Sequence, residues 1–413
     1  MYPLVDFIVN YAKVALVWLA DAINQAFDPF HDFTRPEELR YHEWLHEKEA
    51  QFSVDMGVFW WPERSTYRHK LPNDAGDQAL WHGVYTAMWA MKHSVTGGEL
   101  DRLKACAEGL MQHQTPTPGL PKRLIRGWNE DGTYQDDVSN DQATGHILGI
   151  YFLWKYGDGE CRDMATELAE NLAYELLFHE DSLIGADGEP TTHGRLVNGH
   201  LTDPLRLTLA LAIYAVAAHL TSSPSFAMRY DDLVKRFGPI LPYANVELLW
   251  WKKSHHAHRA AIHYSILCDL EKDHGTHRRY LAGLLRTWRM ERKSGNPWIY
   301  YLMRRVCLYD PAHEERVKIH LKEMYLENKQ WNVEKINSDE VETFKWGGKT
   351  LTKQPLPRWR VGSHDFLWQR QMFSADDWIG NRPGMLGLVR HNTGDFLAAY
   401  WGLRSLRLIG EDE

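Results

Sequence analysis

The strongest constraint in the sequence is a succession of helical patterns of similar length, separated only by short polar or Pro/Gly breaks. Apolar residues recur at three- and four-residue spacings in one segment after another; Asp77–Val95, Asp163–Phe178 and Asp203–Leu220 are examples. Segments with the alternation of a half-buried strand are scarce, and no fixed sequence period marks a repeat array. The pattern predicts an all-α chain of antiparallel helical hairpins.

Many paired helices in one chain predict that the hairpins close on themselves as a toroid. The strongly apolar helices would form its inner ring, and the amphipathic helices its outer ring. With 413 residues the chain can bury a large core, and we expect one toroid domain over residues 36–413. Periodicity fails near residues 328–363, where we expect a long loop of the kind that often acts as a lid or binding loop.

Composition narrows the class of protein. Hydrophobic residues make up 44% of the chain and charged residues 25%, which is typical of a soluble globular protein. A formal net charge of −8 argues against a nucleic-acid partner. The 18 tryptophans either fill a large core or line a groove for sugars. The four cysteines are far apart and without a CxxC pair, which predicts free thiols in a reducing compartment.

The N-terminal segment, residues 1–35, is predicted to be an amphipathic helix that docks on the body of the protein. Its longest uncharged run, residues 14–20, is too short to span a bilayer. An interfacial membrane anchor is the alternative, but the polar face is poor in Lys and Arg. No secretory signal pattern is present, so we expect a cytoplasmic protein, with non-standard export as the alternative.

The most informative segment is Asp137–Tyr156. Ser139 and Gln142 have the spacing of a capping box, which predicts that a helix begins here. Gly145 and Gly149 lie four residues apart on one stripe of that helix, where they would let a neighbouring helix pack closely. The segment therefore predicts a helix with an acidic end and a closely packed side.

Carboxylates begin two of the predicted helices. Asp77, Trp81 and Tyr85 follow one another at four-residue intervals, which places a carboxylate and two aromatic rings on one helix face. Asp137 and Asp141 begin the helix described above. In a toroid the inner helices start at the same cavity mouth, so these acids can face one another. The alternative is that Asp74 caps the first helix with Asp77 in its first turn, and that Asp137 and Asp141 only cap the second helix and complement its dipole.

Five motifs, in order between about residues 74 and 408, resemble the landmarks of a family of bacterial (α/α)-toroid proteins. They are Trp81-His82-Gly83-Val84-Tyr85, Asp137-x-Ser139-x-Asp141-x-x-Gly145-His146, Asp187-Gly188-x-Pro190-Thr191-x-x-Gly194, Asn296-Pro297-Trp298 and Thr393-Gly394-Asp395-Phe396-Leu397. That family is similar in layout to six-hairpin glycosidases, including unsaturated uronyl hydrolases, although most of its members have no assigned reaction. The resemblance implies an (α/α)6-type toroid.

The resemblance also implies roles for side chains. Uronyl hydrolases protonate an unsaturated sugar and let water add, so Asp137 or Asp141 would donate the proton, with Asp77 as its partner. Aromatic rings would serve as sugar platforms, an imidazole would tune an acid or bind substrate, and a guanidinium would pair with a substrate carboxylate. The substrate-binding candidates are Trp81, Tyr85, Trp128, His146 and Arg195. Burial in the core is the alternative interpretation for the rings and the imidazole.

One stretch departs from the family pattern. Ser254-His255-His256-Ala257-His258-Arg259 stands where relatives tend to carry an acidic H-S-D-D-E stretch. If those acids serve catalysis in relatives, this chain has altered its chemistry or lost it. The histidines lack an HExxH or CxxC companion, so we expect no metal, and the absence of nucleotide-binding loops predicts no cofactor.

Three hypotheses follow. The first is a carbohydrate-active enzyme, a glycoside hydrolase or lyase, that acts on an oligosaccharide by carboxylate acid/base chemistry. The second is a non-catalytic protein that binds a glycan in the same cavity. The third is a structural or assembly protein that uses the toroid as a scaffold. The expected partner in the first two is an oligosaccharide or another small polar ligand.

Overall fold

Twelve α-helices lie in the residues that the structure, a computed structural model, describes. These residues are 44–68, 75–115, 122–199, 202–244, 254–291, 296–306, 309–323 and 393–411, a few positions between 12 and 19, and the short strands named below. The odd-numbered helices are α1 (Leu45–Gly57), α3 (Leu100–Gln112), α5 (Gly159–Phe178), α7 (Pro224–Phe237), α9 (His274–Glu291) and α11 (Pro311–Glu323). The even-numbered helices are α2 (Gln78–Thr96), α4 (Asn140–Tyr156), α6 (Pro204–Thr221), α8 (Ser254–Leu270), α10 (Pro297–Arg305) and α12 (Gly394–Ser405).

The even-numbered helices form a closed inner ring. Each packs against the next in the order α2, α4, α6, α8, α10 and α12, and α12 packs back onto α2. The odd-numbered helices lie outside, where α3, α5, α7, α9 and α11 each pack on the inner helix that precedes them in the chain, and α1 packs on α12. Six helical pairs closed in this way confirm the predicted all-α toroid, of the (α/α)6 type.

The inner helices run in the same direction. Near the starts of α4 and α8, Asp141 contacts Arg259, and near their ends the Tyr151 hydroxyl donates to Asp269. The same order holds between α8 and α10, since His258 bonds to Asn296 at the beginning of both helices. The N-terminal ends of the inner helices therefore gather at one end of the ring, which we call the mouth.

Local sequence signals account for where these helices begin. Ser139 and Gln142 form the predicted capping box at α4. Asp203 accepts from the Leu205 N–H at 2.7 Å, with Pro204 in the first helical position of α6. Asn296 caps α10 in the same manner. Cap chemistry, together with helical periodicity, was sufficient to predict these starts.

Helix α6 is apolar along its whole length. It is the one helix in the described part of the chain whose length and composition would suffice to cross a membrane. Most of its residues are buried between neighbouring helices of the ring. Its hydrophobicity is therefore that of an inner helix whose surface is mostly covered by its neighbours.

Short strands lie between the helices, and every pairing is antiparallel. The pairs are Trp60–Trp61 with Thr66–Tyr67, Lys70–Leu71 with Arg390–His391, Gln114–Thr115 with Arg123–Leu124, Gly127–Trp128 with Tyr134–Gln135, and Ser182–Ile184 with Pro190–Arg195. A three-stranded sheet contains Glu342–Trp346, Lys349–Lys353 and Phe373–Ser374. Single 3-10 turns occur at Pro62–Arg64 and Ala75–Asp77, and a longer 3-10 helix at Gly238–Tyr243.

The long segment near 328–363 is not wholly irregular, contrary to the prediction. Glu342–Trp346 pairs with Lys349–Lys353, and the closing pair is Trp346 with Lys349. Only Gly347-Gly348 separates these two residues, and two glycines between extended segments are a common hairpin signal. The rest of this segment, and most of residues 1–35, lie outside the described residues, so the predicted lid and the predicted docking of the N-terminal helix stay predictions.

Glycines allow α2 and α4 to approach backbone to backbone. A Cβ on Gly83 would overlap the carbonyl group of Gly145, and a Cβ on Gly145 would overlap that of Leu80. A Cβ on Gly149 would lie 2.8 Å from the Gly83 oxygen. The close packing predicted for the glycine stripe of α4 is therefore present, and its neighbour is α2.

We predict that Gly145→Ala lowers the free energy of unfolding by about 3 kcal/mol, because the added methyl group forces α2 and α4 apart. Gly159→Ala is the matched control, since Gly159 also lies in a helix but a Cβ there would meet open space. The control should leave stability unchanged or raise it by up to about 1 kcal/mol. Chemical denaturation followed by circular dichroism measures both. Equal effects would contradict the packing role.

Two histidines are buried between α2 and α3. The His82 Nδ1 accepts from the Tyr67 N–H and its Nε2 bonds to the Cys106 carbonyl at 2.9 Å. The His113 ring stacks on the His82 ring with 5.5 Å between centroids, and its Nδ1 bonds to the Gly109 carbonyl at 2.7 Å. Burial lowers the pKa of His82 to about 3 and that of His113 to about 4. Both imidazoles are therefore neutral in the folded protein at neutral pH.

Because these pKa values are lower in the folded than in the unfolded chain, protonation favours unfolding. We predict that the free energy of unfolding is highest above about pH 6.5 and falls as the pH decreases toward 4. His82→Gln should flatten this dependence, whereas His46→Gln, at an exposed position, should leave its slope unchanged. Denaturation curves recorded at several pH values measure the slope. An unchanged slope in His82→Gln would contradict the assignment.

Candidate functional site

The three predicted acids lie together at the mouth. Asp77 ends the 3-10 turn that leads into α2, Asp137 precedes α4, and Asp141 lies in the first turn of α4. Asp137 is exposed, and the side chains of Asp77 and Asp141 are 41% and 28% exposed. The hydrogen bond between Gln142 and Asp77 joins the start of α2 to the start of α4. All three carboxylates therefore lie near the starts of these two helices, and each is at least partly accessible.

Asp77 is held by a neighbour on α4. The Gln142 Nε2 donates to the Asp77 Oδ1 at 2.9 Å, and the Arg126 guanidinium lies 3.9 Å from the same oxygen. The Asp77 side chain forms no capping hydrogen bond with α2. Asp77 therefore occupies the N-cap position of α2 without a capping hydrogen bond from its side chain, and the alternative cap, Asp74, lies outside the described residues.

Asp137 lies beneath the hairpin Ser182–Arg195, which contains the motif that begins at Asp187. The Thr192 N–H donates to the Asp137 Oδ1 at 3.2 Å, and the Asn140 Nδ2 donates to the His193 carbonyl at 3.2 Å. Gly188 supplies the left-handed backbone conformation in the turn, with φ +79°. The hairpin thus forms one wall of the mouth and fixes one oxygen of Asp137.

Asp141 pairs with Arg259. The two side chains lie 2.6 Å apart between Oδ1 and Nη1, and Arg259 is 3% exposed. Arg259 ends the His-rich stretch that begins at Ser254, and it places a buried cation against one of the three predicted carboxylates.

A polar cluster closes the ring below this ion pair. The His263 Nε2 bonds to the Thr144 hydroxyl at 2.9 Å, and its Nδ1 bonds to the Thr208 hydroxyl at 3.1 Å. All three side chains are fully buried, and they join α8, α4 and α6. Burial, followed by the nearby Arg259, holds the pKa of His263 well below its usual value. The accessible part of the site is therefore the mouth, above this cluster.

Three of the predicted substrate-binding residues are packed in the core. Trp81 is 5% exposed and Tyr85 1%, and their rings stack with 6.0 Å between centroids. His146 is fully buried, and its Nε2 lies 3.1 Å from the Gln114 Nε2. Burial lowers the pKa of His146 well below its usual value. An inner helix is covered by neighbours on every side, so these side chains contact protein rather than the mouth.

The other two predicted binding residues are accessible. The Trp128 backbone N–H donates to the Gln78 Oε1 at 2.7 Å, which places Trp128 beside the start of α2. The Arg64 guanidinium lies 4.0 Å from the centre of the Trp128 ring. Arg195 is exposed at the end of the hairpin strand Pro190–Arg195. Trp128 is thus partly exposed with one face of its ring contacted by Arg64, and Arg195 is exposed.

No metal-binding cluster of three His, Cys, Asp or Glu side chains occurs among the described residues. His258 lies in the His-rich stretch 254–259, and His263 follows it on the same helix, α8. The Asn296 side chain lies 3.0 Å from the His258 Nε2, and His263 is occupied by two threonines. These histidines therefore join helices.

A separate cavity of about 480 Å³ lies beside the C-terminal end of α5. Its lining residues are Leu177, Glu180, Asp181, Val197, Gly199, Arg229 and Arg236. Within it, Arg229 is paired with Asp181 and with Asp232. None of the predicted site residues lines this cavity. The Arg229 guanidinium in its lining already forms ion pairs with two carboxylates.

Sequence reasoning missed three residues that hold the acids. Arg126 and Gln142 contact Asp77, and Arg259 contacts Asp141. Gln142 was recognised only as a member of the capping box, and Arg259 only as a departure from the family pattern. Arg126 lies in a segment without a motif, so no local signal indicated it.

Sequence comparison finds no protein-family model and no curated protein that matches the chain. Among solved structures, the chain is similar to a sugar epimerase from a ruminal bacterium, with 12% identity over 86% of this chain and 98% of that one, and a TM-score of 0.48. It is also similar to a family 76 glycoside hydrolase, a mannosidase, from Bacteroides thetaiotaomicron. That similarity has 12% identity over 88% of this chain and 98% of the mannosidase, with a TM-score of 0.49.

We predict a coupling energy of about 1–3 kcal/mol between Arg259 and Asp141 in a double-mutant cycle with Arg259→Met and Asp141→Asn. The pair is largely shielded from water, so each single substitution leaves a partner uncompensated. The exposed pair Lys122–Glu167 is the control, with N and O atoms 2.8 Å apart, and should couple by less than about 1 kcal/mol. Chemical denaturation of the variants measures both cycles, and additive effects at Arg259 and Asp141 would contradict the ion pair.

Proposed function

We propose that the chain is a carbohydrate-active protein, a glycoside hydrolase or lyase that acts on an oligosaccharide at the mouth of the toroid. The observation that carries the proposal is the gathering of Asp77, Asp137 and Asp141 around the starts of α2 and α4, all at least partly exposed. Cleavage of a glycosidic bond needs two carboxyl groups, one that donates a proton to the leaving oxygen and one that activates water or attacks. This mouth supplies three.

The contacts of the three acids favour a division of roles. Asp141 pairs with the buried Arg259, and neutralising it would leave that cation uncompensated. By elimination we assign the role of proton donor to Asp137, because Arg126 lies beside Asp77 and Arg259 pairs with Asp141, and both guanidinium groups favour ionised carboxylates. Asp77 accepts from Gln142 and is its carboxylate partner. Asp141 and Arg259 would then orient hydroxyl or carboxylate groups of the sugar.

Neighbouring side chains suit a sugar ligand. Trp128 is partly exposed beside the start of α2, and an indole ring can pack against the apolar face of a sugar ring. Arg195 lies at the end of the hairpin whose Thr192 contacts Asp137, and it can pair with a carboxylate of an acidic sugar. The proposed substrate is therefore an oligosaccharide, neutral or acidic, that enters from the mouth.

A non-catalytic glycan-binding protein is the second candidate. It is favoured by the Asp141–Arg259 ion pair, because that pair occupies a carboxylate and stands where acids are expected from the family pattern. A binder needs the donors and acceptors of the mouth but not a free proton donor. The two candidates differ in whether a bound oligosaccharide is cleaved.

We predict that a glycan-array screen identifies an oligosaccharide that binds, and that the protein releases new reducing or unsaturated ends from it. Asp137→Asn and Asp77→Asn should each lower kcat by about 100-fold or more, as expected for loss of an acid or base. The melting temperature should stay close to that of the wild type, because neither side chain caps its helix.

Asp163→Asn, at an exposed position on the outer helix α5, is the matched control and should retain full activity. Binding without turnover by the wild type would favour the glycan-binding candidate. Loss of thermal stability in Asp137→Asn and Asp77→Asn, in proportion to the loss of activity, would assign the two acids a structural role instead.

A further inference from the structure

Gln142 is fully buried at the contact between the starts of α2 and α4, and both ends of its amide group are engaged. Its Oε1 accepts from the Ser139 N–H at 2.8 Å and from the Ser139 hydroxyl at 2.6 Å. Its Nε2 donates to the Gly76 carbonyl at 2.9 Å and to the Asp77 Oδ1 at 2.9 Å. The side chain therefore joins the capping box of α4 to the carboxylate that precedes α2.

Two backbone groups fix the orientation of this amide. The Ser139 N–H can only donate, so the oxygen of Gln142 must face it. The Gly76 carbonyl can only accept, so the nitrogen must face that side. Rotation of the amide by 180° would place its NH2 group against the Ser139 N–H and its oxygen against the Gly76 carbonyl. Two donors and two acceptors would then face each other in the interior, and the hydrogen bonds would be lost. The backbone groups of Ser139 and Gly76, at the starts of α4 and α2, thus determine that the Gln142 amide directs an N–H at Asp77.

We propose that Gln142 is a positioning residue that holds the Asp77 carboxylate in place for the chemistry of the mouth. The role in the reaction rests on the proposed function, whereas the effect on Asp77 itself does not. A neutral donor to a carboxylate favours its ionised form and fixes the direction of its remaining oxygen. Gln142 thereby prepares Asp77 to accept a proton or to activate water.

Glutamine and glutamate differ in a way that separates this role from capping. Either residue completes a capping box, because capping uses only the accepting oxygen. Only glutamine also donates to Asp77. A glutamate at this position would retain the acceptor for Ser139 and direct a carboxylate oxygen at Asp77, which already lies near Asp137 and Asp141.

The charged groups near Asp77 define the expected response. Arg126 lies 3.9 Å from its Oδ1 and favours the ionised carboxylate. Asp137 and Asp141, at the entrance of α4, favour the protonated form. A second carboxyl group in direct contact would share a proton with Asp77, so in Gln142→Glu the pair should titrate with one midpoint raised by roughly one pH unit or more.

The test is a titration of the full-length protein labelled with 13C at the aspartate carboxyl groups, with Asp77 assigned by the signal that disappears in Asp77→Asn. Gln142→Glu should move the Asp77 midpoint upward, and Gln142→Met, which removes the donor without adding a charge, should move it upward by less. Ser139→Ala is the control: it should lower stability by about 1 kcal/mol and leave the Asp77 midpoint unchanged.

Where an oligosaccharide is cleaved, Gln142→Glu should also lower kcat and shift the pH–kcat profile upward, with KM little changed. An Asp77 midpoint identical to that of the wild type in folded Gln142→Glu or Gln142→Met would overturn the proposal. An equal shift in Ser139→Ala would do the same. Failure of the wild type to cleave any glycan would reject the proposed function, while the titration would still decide whether Gln142 controls Asp77.

Discussion

The contact between α2 and α4 is the constraint on which the mouth depends. Gly83 lies against Gly145 and Gly149, so the two helices meet through their backbones with no side chain to act as a spacer. Such a contact fixes the axial alignment of the helices as well as their separation. A helix rises about 1.5 Å per residue, so a slip of one residue would carry Asp77 out of hydrogen-bond range of Gln142. The position of Asp77 relative to α4 therefore depends on glycines that lie one to two helical turns further from the mouth.

The parallel course of the inner helices explains how several carboxylates are tolerated in one place. Helix N-termini carry partial positive charge, and the mouth collects them from around the ring. Arg126 and the buried Arg259 add full positive charges beside Asp77 and Asp141. Like charges would otherwise disfavour such a group of acids. The ring therefore supplies an electrostatic environment in which carboxylates can stay both close together and accessible.

The sequence predicted what depends on local chemistry and failed where long-range packing decides. Caps and periodicity located the starts of α4 and α6, and the glycine stripe indicated a close neighbour. The ion pair between Asp141 and Arg259 joins residues 118 positions apart, and sequence spacing does not predict contacts over such a separation.

The predicted exposure of Tyr85 and His146 failed for a related reason. Helical spacing predicts which residues share a face, but in an inner ring every face is covered, so a shared face does not imply exposure. The hairpin after Glu342 was missed because its glycines were interpreted only as a break.

At the start of α4, the residues that cap the helix are different from the acidic residues. This difference is the best argument that the acids do more than support the fold. A carboxylate whose purpose is to cap a helix is expected to accept from the first N–H groups of that helix. At α4 this task belongs to Ser139 and Gln142, which satisfy each other and leave Asp137 to the Thr192 N–H of a separate hairpin. Asp141 is directed to a different helix altogether. The capping groups of α4 are therefore different from its acidic groups. The acidic groups are held by partners from other parts of the chain, and they remain at least partly exposed to solvent. This arrangement meets the requirement of the proposed function, in which the carboxylates act on a ligand at the mouth.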